Sequence, residues 1–424
     1  MQRRLAVARL LQHREPTLLL SGQAVSNLGD GVALVALTLL VLDTTHSAAM
    51  LAWFAAARMA PTVAFLLVGG AVVDRFSRRT LLLVSDASRF VLTAGLAAVI
   101  AAHALHYWEL IAFALVFGLF DALFMPAYAA LTPQIVPTEL LPAMNSIRPL
   151  SSNLMGSMIG PAIGGLLAAY STAGAISIDA ATFAVSAAFL LAMRPVPVPE
   201  RGAATSMLHD IREGLAYVRR TTWFWTCLLA VTFVNALVLV PQSVLVPYFL
   251  RHVLHAPKVE VGLVFTVGGV TGAAMSLVAG NLRMPRRRIR TMFAVWGVGT
   301  LSGLIMGVAT NFWEVALFPL IVSASIVVGN VFWESMVQEE VPAEMMGRAS
   351  SVDWFVSLGL SPVGLVVAGA LAGAIGVRTY YVVMTLVCLV PTALVLISRR
   401  VNAVDAGRVR PPAPARDAGA EAVS

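Results

Sequence analysis

Charge is scarce in this chain. Of its 424 residues only 12% are Asp, Glu, Lys or Arg, whereas a soluble domain needs about a quarter to cover its surface. Lysine occurs once, at Lys258, and cysteine twice, at Cys227 and Cys388. Both cysteines fall inside apolar runs, so the chain offers no disulfide framework and no cysteine metal spacing. It also lacks a Gly-x-x-x-x-Gly-Lys-Ser/Thr loop, which argues against an ATP-driven pump. His103, His106, His252 and His255 stand beside no serine or cysteine motif, so no nucleophile–base pair supports an enzyme. No cofactor and no metal are expected.

What the chain does have is hydrocarbon. It is 58% hydrophobic with a mean hydropathy of +0.83. Runs of bilayer-spanning length, ~20 residues each, recur from Thr17 to Ser398. Twelve spans are predicted, at 17–43, 47–73, 80–104, 108–131, 143–170 and 173–193, then 223–250, 259–281, 291–309, 313–337, 348–374 and 379–398. The first run is about twice the length of a signal-peptide core and contains Asp30, so it reads as an uncleaved helix.

The net charge of +7 does not indicate nucleic acid. Its basic residues lie in short loops between apolar runs rather than on one face of a soluble domain. With the N-terminus inside, Arg75, Arg78, Arg79, Arg194, Arg219, Arg220, Arg286, Arg287, Arg288 and Arg348 all become cytoplasmic, as the positive-inside rule requires. The opposite loops hold only Arg251, Lys258 and Arg378. Both termini are therefore expected in the cytoplasm, in a multi-pass protein of a bacterial inner membrane.

An internal repeat organises the chain. The sequence from Leu131 to Leu141 contains Val136-Pro137 and Glu139; 205 residues further on stand Val341-Pro342 and Glu344. Two six-helix halves are the parallel-repeat plan of secondary transporters. The expected division is a cytoplasmic segment 1–16, a bundle 17–193, a linker 194–222, a second bundle 223–398 and a disordered tail 399–424. Leu208, Ile211, Leu215 and Val218 recur at helical spacing in the linker. They predict an amphipathic helix, either on the inner leaflet or as a simple tether.

Span two ends in Gly70-Ala-Val-Val-Asp74-Arg75-Phe-Ser77-Arg78-Arg79. This resembles the loop 2–3 signature of the major facilitator superfamily, with Ser77 in place of a glycine. A carboxylate at the C-terminal end of its own helix opposes the dipole and wants another helix N-terminus nearby. The resemblance implies that this partner is the start of helix eleven, near Arg348 to Asp353, and that the contact latches the halves. It also implies an all-α membrane fold of two pseudo-symmetric six-helix bundles. Gly156, Gly160, Pro161, Gly164 and Gly165 in span five are similar to the antiporter signature of the superfamily's exporters. Glycines four apart let backbones approach closely, and Pro161 breaks the hydrogen-bond ladder. Gly268, Gly269 and Gly272 of span eight are the expected partners.

Ionisable residues within spans mark function by default. At 1.5 Å per residue, Asp30 and Asp121 each lie ~20 Å along their spans, and Arg58 lies ~16 Å from its outer end. The resemblance implies that spans one, four, seven and ten line a cavity. The candidate cavity set is then Asn27, Asp30, Arg58, Asp121, Asn235 and Asn330. Burial favours the neutral form of a carboxylate, so Asp30 is the expected proton carrier, with Arg58 as counter-charge. Asp86 and Arg89, three apart, read as a self-contained pair. Asp179 and Asp353 read as anions at helix starts, and Glu334 as part of an inner gate.

Further stretches, Gly22 to Gly31, Ile178 to Phe183 and Val341 to Ser351, resemble the enterobactin-exporter-like and macrolide-efflux-like branch. That implies export of an amphipathic drug, antibiotic or siderophore-like molecule, exchanged for protons, by a monomer among membrane lipids. One departure bears on the coupling. The stretch Phe113 to Gly118 has no arginine, although many proton-driven exporters carry one there. Two other readings compete: nutrient uptake on the same fold, and a non-transporting scaffold or sensor.

Overall fold

Backbone amides in hydrocarbon have no water to bond, so a spanning segment must satisfy them internally. The apolar runs accordingly fold as helices, and the described residues contain no strand. The structure is a computed structural model that describes residues 7–73, 76–195, 207–279, 282, 284–342 and 345–398. In order, the spans are α1 (Arg14–Thr45), α2 (Ala48–Val73), α3 (Arg78–Ala101), α4 (Tyr107–Ile135), α5 (141–170) and α6 (Thr172–Ala192). The second set is α7 (Thr222–Val253), α8 (Lys258–Ala279), α9 (Arg288–Val308), α10 (Phe312–Glu340), α11 (Met346–Ile375) and α12 (Val377–Ile397).

Eleven of these helices are long and apolar enough to cross a membrane. The twelfth span, α5, is helical throughout but in pieces: Leu141–Ser152, a wide π-type turn over Asn153–Ile159, and Gly160–Tyr170. Its asparagines, serines and glycines dilute its hydropathy. Pro161 explains the wide turn, because it offers no N–H and its ring crowds the carbonyl four residues back.

Helix α1 packs on α5 and α6, α2 on α4, and α3 on α4 and α6; the second six repeat this pattern, with α7 on α11 and α12, α8 on α10, and α9 on α10 and α12. The repeat is visible in detail. α4 and α10 both end on an extended valine, Val136 (φ −105, ψ 127) and Val341 (φ −93, ψ 126). Each donates its backbone N–H to the carbonyl four residues before it. The halves touch along two seams, α2 against α11 and α5 against α8.

At the end where the chain begins, Arg14 donates to the Ala192 carbonyl at 2.7 Å. Arg79 donates to the carbonyls of Leu190 and Leu191 at 2.8 and 2.9 Å. Two cations thus serve the orphan carbonyls and negative dipole end of α6. At the opposite end, His46, His103 and His255 turn the chain in the left-handed region, φ 51 to 53.

A connecting helix, Met207–Arg220, joins the halves. It docks on the second bundle rather than resting on a leaflet alone. Tyr217 and Val218 are buried there, and Glu213 accepts from Arg348 at 2.8 Å.

Candidate functional site

Five helices of the first bundle bring ionisable side chains together. Arg58 of α2 stands 3.9 Å from Asp30 of α1, with 25% and 27% of the two side chains exposed. Arg89 of α3 is buried and meets two carboxylates: Asp86 of its own helix at 2.5 Å and Asp121 of α4 at 3.3 Å. Ser186 of α6 donates to the other oxygen of Asp86 at 2.6 Å. Aromatic faces enclose both cations. The Arg89 guanidinium lies 4.5 Å from the Phe183 ring and 4.7 Å from the Phe124 ring, and that of Arg58 4.7 Å from Phe117.

Asp179 of α6 joins this group. Gly29, the residue before Asp30, leaves room for it: a Cβ there would fall 2.6 Å from Asp179 Oδ1. That carboxylate is 2% exposed, and its Oδ1 has no hydrogen-bond partner. Three carboxylates therefore share two guanidiniums, with Asp179 as a fourth beside them. Of the predicted set, Asp30, Arg58 and Asp121 converge here.

Two expectations for the first bundle are corrected. Asp86 and Arg89 are not a self-contained pair, because Arg89 also holds Asp121. Asp179 is not at a helix start, since α6 begins at Thr172, about two turns earlier. Sequence spacing gives the depth of a residue but not which neighbouring helix it faces, and these two residues faced the centre. The stretch Phe113 to Gly118, which has no arginine of its own, faces Arg58 of α2, whose guanidinium lies over the Phe117 ring. Asn27 sits one turn before Asp30 and accepts from Gln23 at 3.0 Å.

The second bundle frames a partly open cavity of about 250 Å³ lined from α7, α9, α10, α11 and α12. Asn235 and Asn330 both reach it, with Trp296, Trp333, Glu334, Asp353, Trp354 and Ser357. Asn235 donates to the Ser357 carbonyl at 3.0 Å. Asp353 lies about two turns into α11 rather than at its start. It accepts from Trp333 Nε1 at 2.8 Å and from Ser357 Oγ at 3.1 Å.

Of the expected gate residues, Gly70 belongs to the last turns of α2, while Asp74 and Arg75 lie outside the described residues. Arg78 is buried at the start of α3, and Arg79 and Arg348 make the contacts given above.

The small-residue motif of α5 serves two neighbours. A Cβ at Gly160 would fall 2.8 Å from the Gly31 Cα, and one at Gly164 2.6 Å from the Val32 carbonyl of α1. Gly156 backs onto Asn27, and Gly165 meets Gly262 of α8 across the seam. Gly269 also meets α5, at Ser157, but Gly268 and Gly272 turn toward α10. Thr266 of α8 donates to the Met158 carbonyl in the wide turn at 3.0 Å. Gly262 and Thr266 were missed for want of a motif.

Sequence reasoning also missed the closure opposite the chain's start. Asp43 of α1 pairs with Arg251 at 3.4 Å and Lys258 at 2.7 Å, both from the other half. His46 and His252 approach to 3.5 Å beside them.

The family model of the Major Facilitator Superfamily matches residues 19–357. The chain belongs to that superfamily. Among relatives of this facilitator, the multidrug efflux pump Tap of Mycolicibacterium fortuitum is 28% identical, over 92% of this chain and 98% of that protein. Macrolide efflux protein A of Streptococcus pyogenes is 24% identical, over 85% of this chain and 90% of that protein. The solved structure of a bacterial homolog of the human lysosomal transporter Spinster, inward-facing and unoccupied, overlays this facilitator with a TM-score of 0.70. That overlay covers 92% of this chain and 98% of the other at 12% identity. The chain is a membrane transporter, and its relatives include efflux pumps.

Proposed function

We propose that this facilitator exports amphipathic small molecules, of drug, antibiotic or siderophore type, by alternating access driven by inward proton movement. The carrying observation is the shared charge group of the first bundle, in which Asp30 faces Arg58 at 3.9 Å. That separation is too long for a direct hydrogen bond, so the pair is the loosest of the set. A proton arriving on Asp30 frees Arg58 to seek another carboxylate. The group can thus be shared in two ways, and each favours one packing of α1, α2 and α4. Proton-linked switching needs such a bistable element.

The efflux relatives support the export direction. Both chain ends and the arginine-rich loops then face the cytoplasm, and the Asp43 cluster closes the outer end of an inward-facing form. A single chain suffices, since both seams are internal.

The test is export by purified protein in liposomes under an imposed pH gradient. Asp30→Asn should lower gradient-stimulated export about 100-fold, the lower end of a general acid–base contribution lost. Cargo exchange without a gradient should persist. Gradient-driven export by Asp30→Asn at the wild-type rate would refute the assignment.

A further inference from the structure

The second bundle's cavity contains a charge imbalance that export alone does not explain. Asp353 and Glu334 line it, and no Arg, Lys or His does so. No described basic side chain lies within ion-pair distance of either carboxylate. The hydrogen bonds to Asp353 come from two neutral groups, the Trp333 indole and the Ser357 hydroxyl. A carboxylate has about four lone-pair sites, so acceptor capacity is left over. In an apolar cavity a carboxylate either takes up a proton or is paired with a cation.

The walls suit one kind of cation. Trp296, Trp333 and Trp354 all line the cavity, and the indole face is the best aromatic partner for a cation. Trp333 is held in place, edge-on to Phe224 at 5.2 Å and to Trp223 at 6.0 Å. Its N–H orients Asp353 while its ring forms a wall. Gly329 leaves space for Trp296, since a Cβ there would collide with the indole.

We infer that this cavity is the cargo site and takes amphipathic monocations, held between tryptophan faces with Asp353 as counter-charge and Glu334 at its margin. The inference rests on the export reading and names its cargo class. Neutral cargo would leave both carboxylates uncompensated, and an anion would be repelled.

The test is ethidium binding to purified protein in detergent, followed by fluorescence anisotropy. Asp353→Asn should weaken binding about 10-fold or more, as expected for losing ~1.4 kcal/mol or more of ion pairing. Asp353→Glu should restore most of it. On the wild type, the cation phenyltrimethylammonium should displace ethidium, and uncharged chloramphenicol should not. Unchanged affinity in folded Asp353→Asn, or equal displacement by chloramphenicol, overturns the inference. The competition arm holds even if the variants fail to fold.

Liposome transport separates this claim from the export reading. Gradient-driven export of chloramphenicol without ethidium binding refutes the cation site and leaves export standing. Tight, Asp353-dependent ethidium binding with no gradient-driven movement of any cargo refutes export and leaves the site.

Discussion

The two bundles share a helix plan and differ in how they keep charge. In the first, Asp30, Asp86, Asp121 and Asp179 gather near Arg58 and Arg89, so two guanidiniums built into the bundle offset half of the carboxylates. In the second, Asp353 and Glu334 stand among tryptophans with neutral donors only. On the proposed reading a duplicated fold divides its labour: one copy would rearrange protons among fixed charges, and the other would leave an opening for a charge that arrives with the cargo.

The sharpest way to break this comparison is to remove the shared cation. Arg89→Met strands Asp86, whose side chain is 0% exposed, and should cost about 3–5 kcal/mol, the range for breaking a buried ion pair. Chemical unfolding in detergent would measure it, and a wild-type midpoint would mean that the first bundle's charges are not interdependent. A smaller effect should fall on both halves alike. Gly164 backs onto Val32 of α1, and Gly364 onto Ala236 of α7, at corresponding helix pairs. Valine at either should overpack the contact and cost about 1–3 kcal/mol. Melting temperatures of the two variants should drop together, and a one-sided effect would show that only one half relies on backbone approach. The smallest change is expected for Asp353→Asn, which removes no partner of a cation. Its stability should stay within about 1 kcal/mol of wild type, in contrast to Arg89→Met, even though its ethidium binding falls.

The spans and the repeat were legible because periodicity and length are one-dimensional. The offset of 205 residues read from Val136-Pro137 and Val341-Pro342 carries α4 (Tyr107–Ile135) onto α10 (Phe312–Glu340) residue for residue. Depth was legible too, which is why Asp30, Arg58 and Asp121 fell together. Azimuth was not. Arg89 looked satisfied by Asp86 three residues away, and nothing local shows that its second nitrogen reaches another helix. The predicted start of α6 at 173 falls within a residue of Thr172, yet Asp179 looked like a cap although it lies about two turns further in, at central depth. The Trp333–Asp353 contact joins α10 to α11 and has no motif, so only the folded chain reveals it.

The closure at the end opposite the chain's start is made of wet charges. Asp43, Arg251 and Lys258 keep between 23% and 33% of their side chains in solvent, where an ion pair contributes about 0–1 kcal/mol and fades with salt. Such a clasp can be released by ordinary thermal agitation, without any fuel of its own. The ionic strength of the medium at that face then becomes part of what sets how often the door stands ajar.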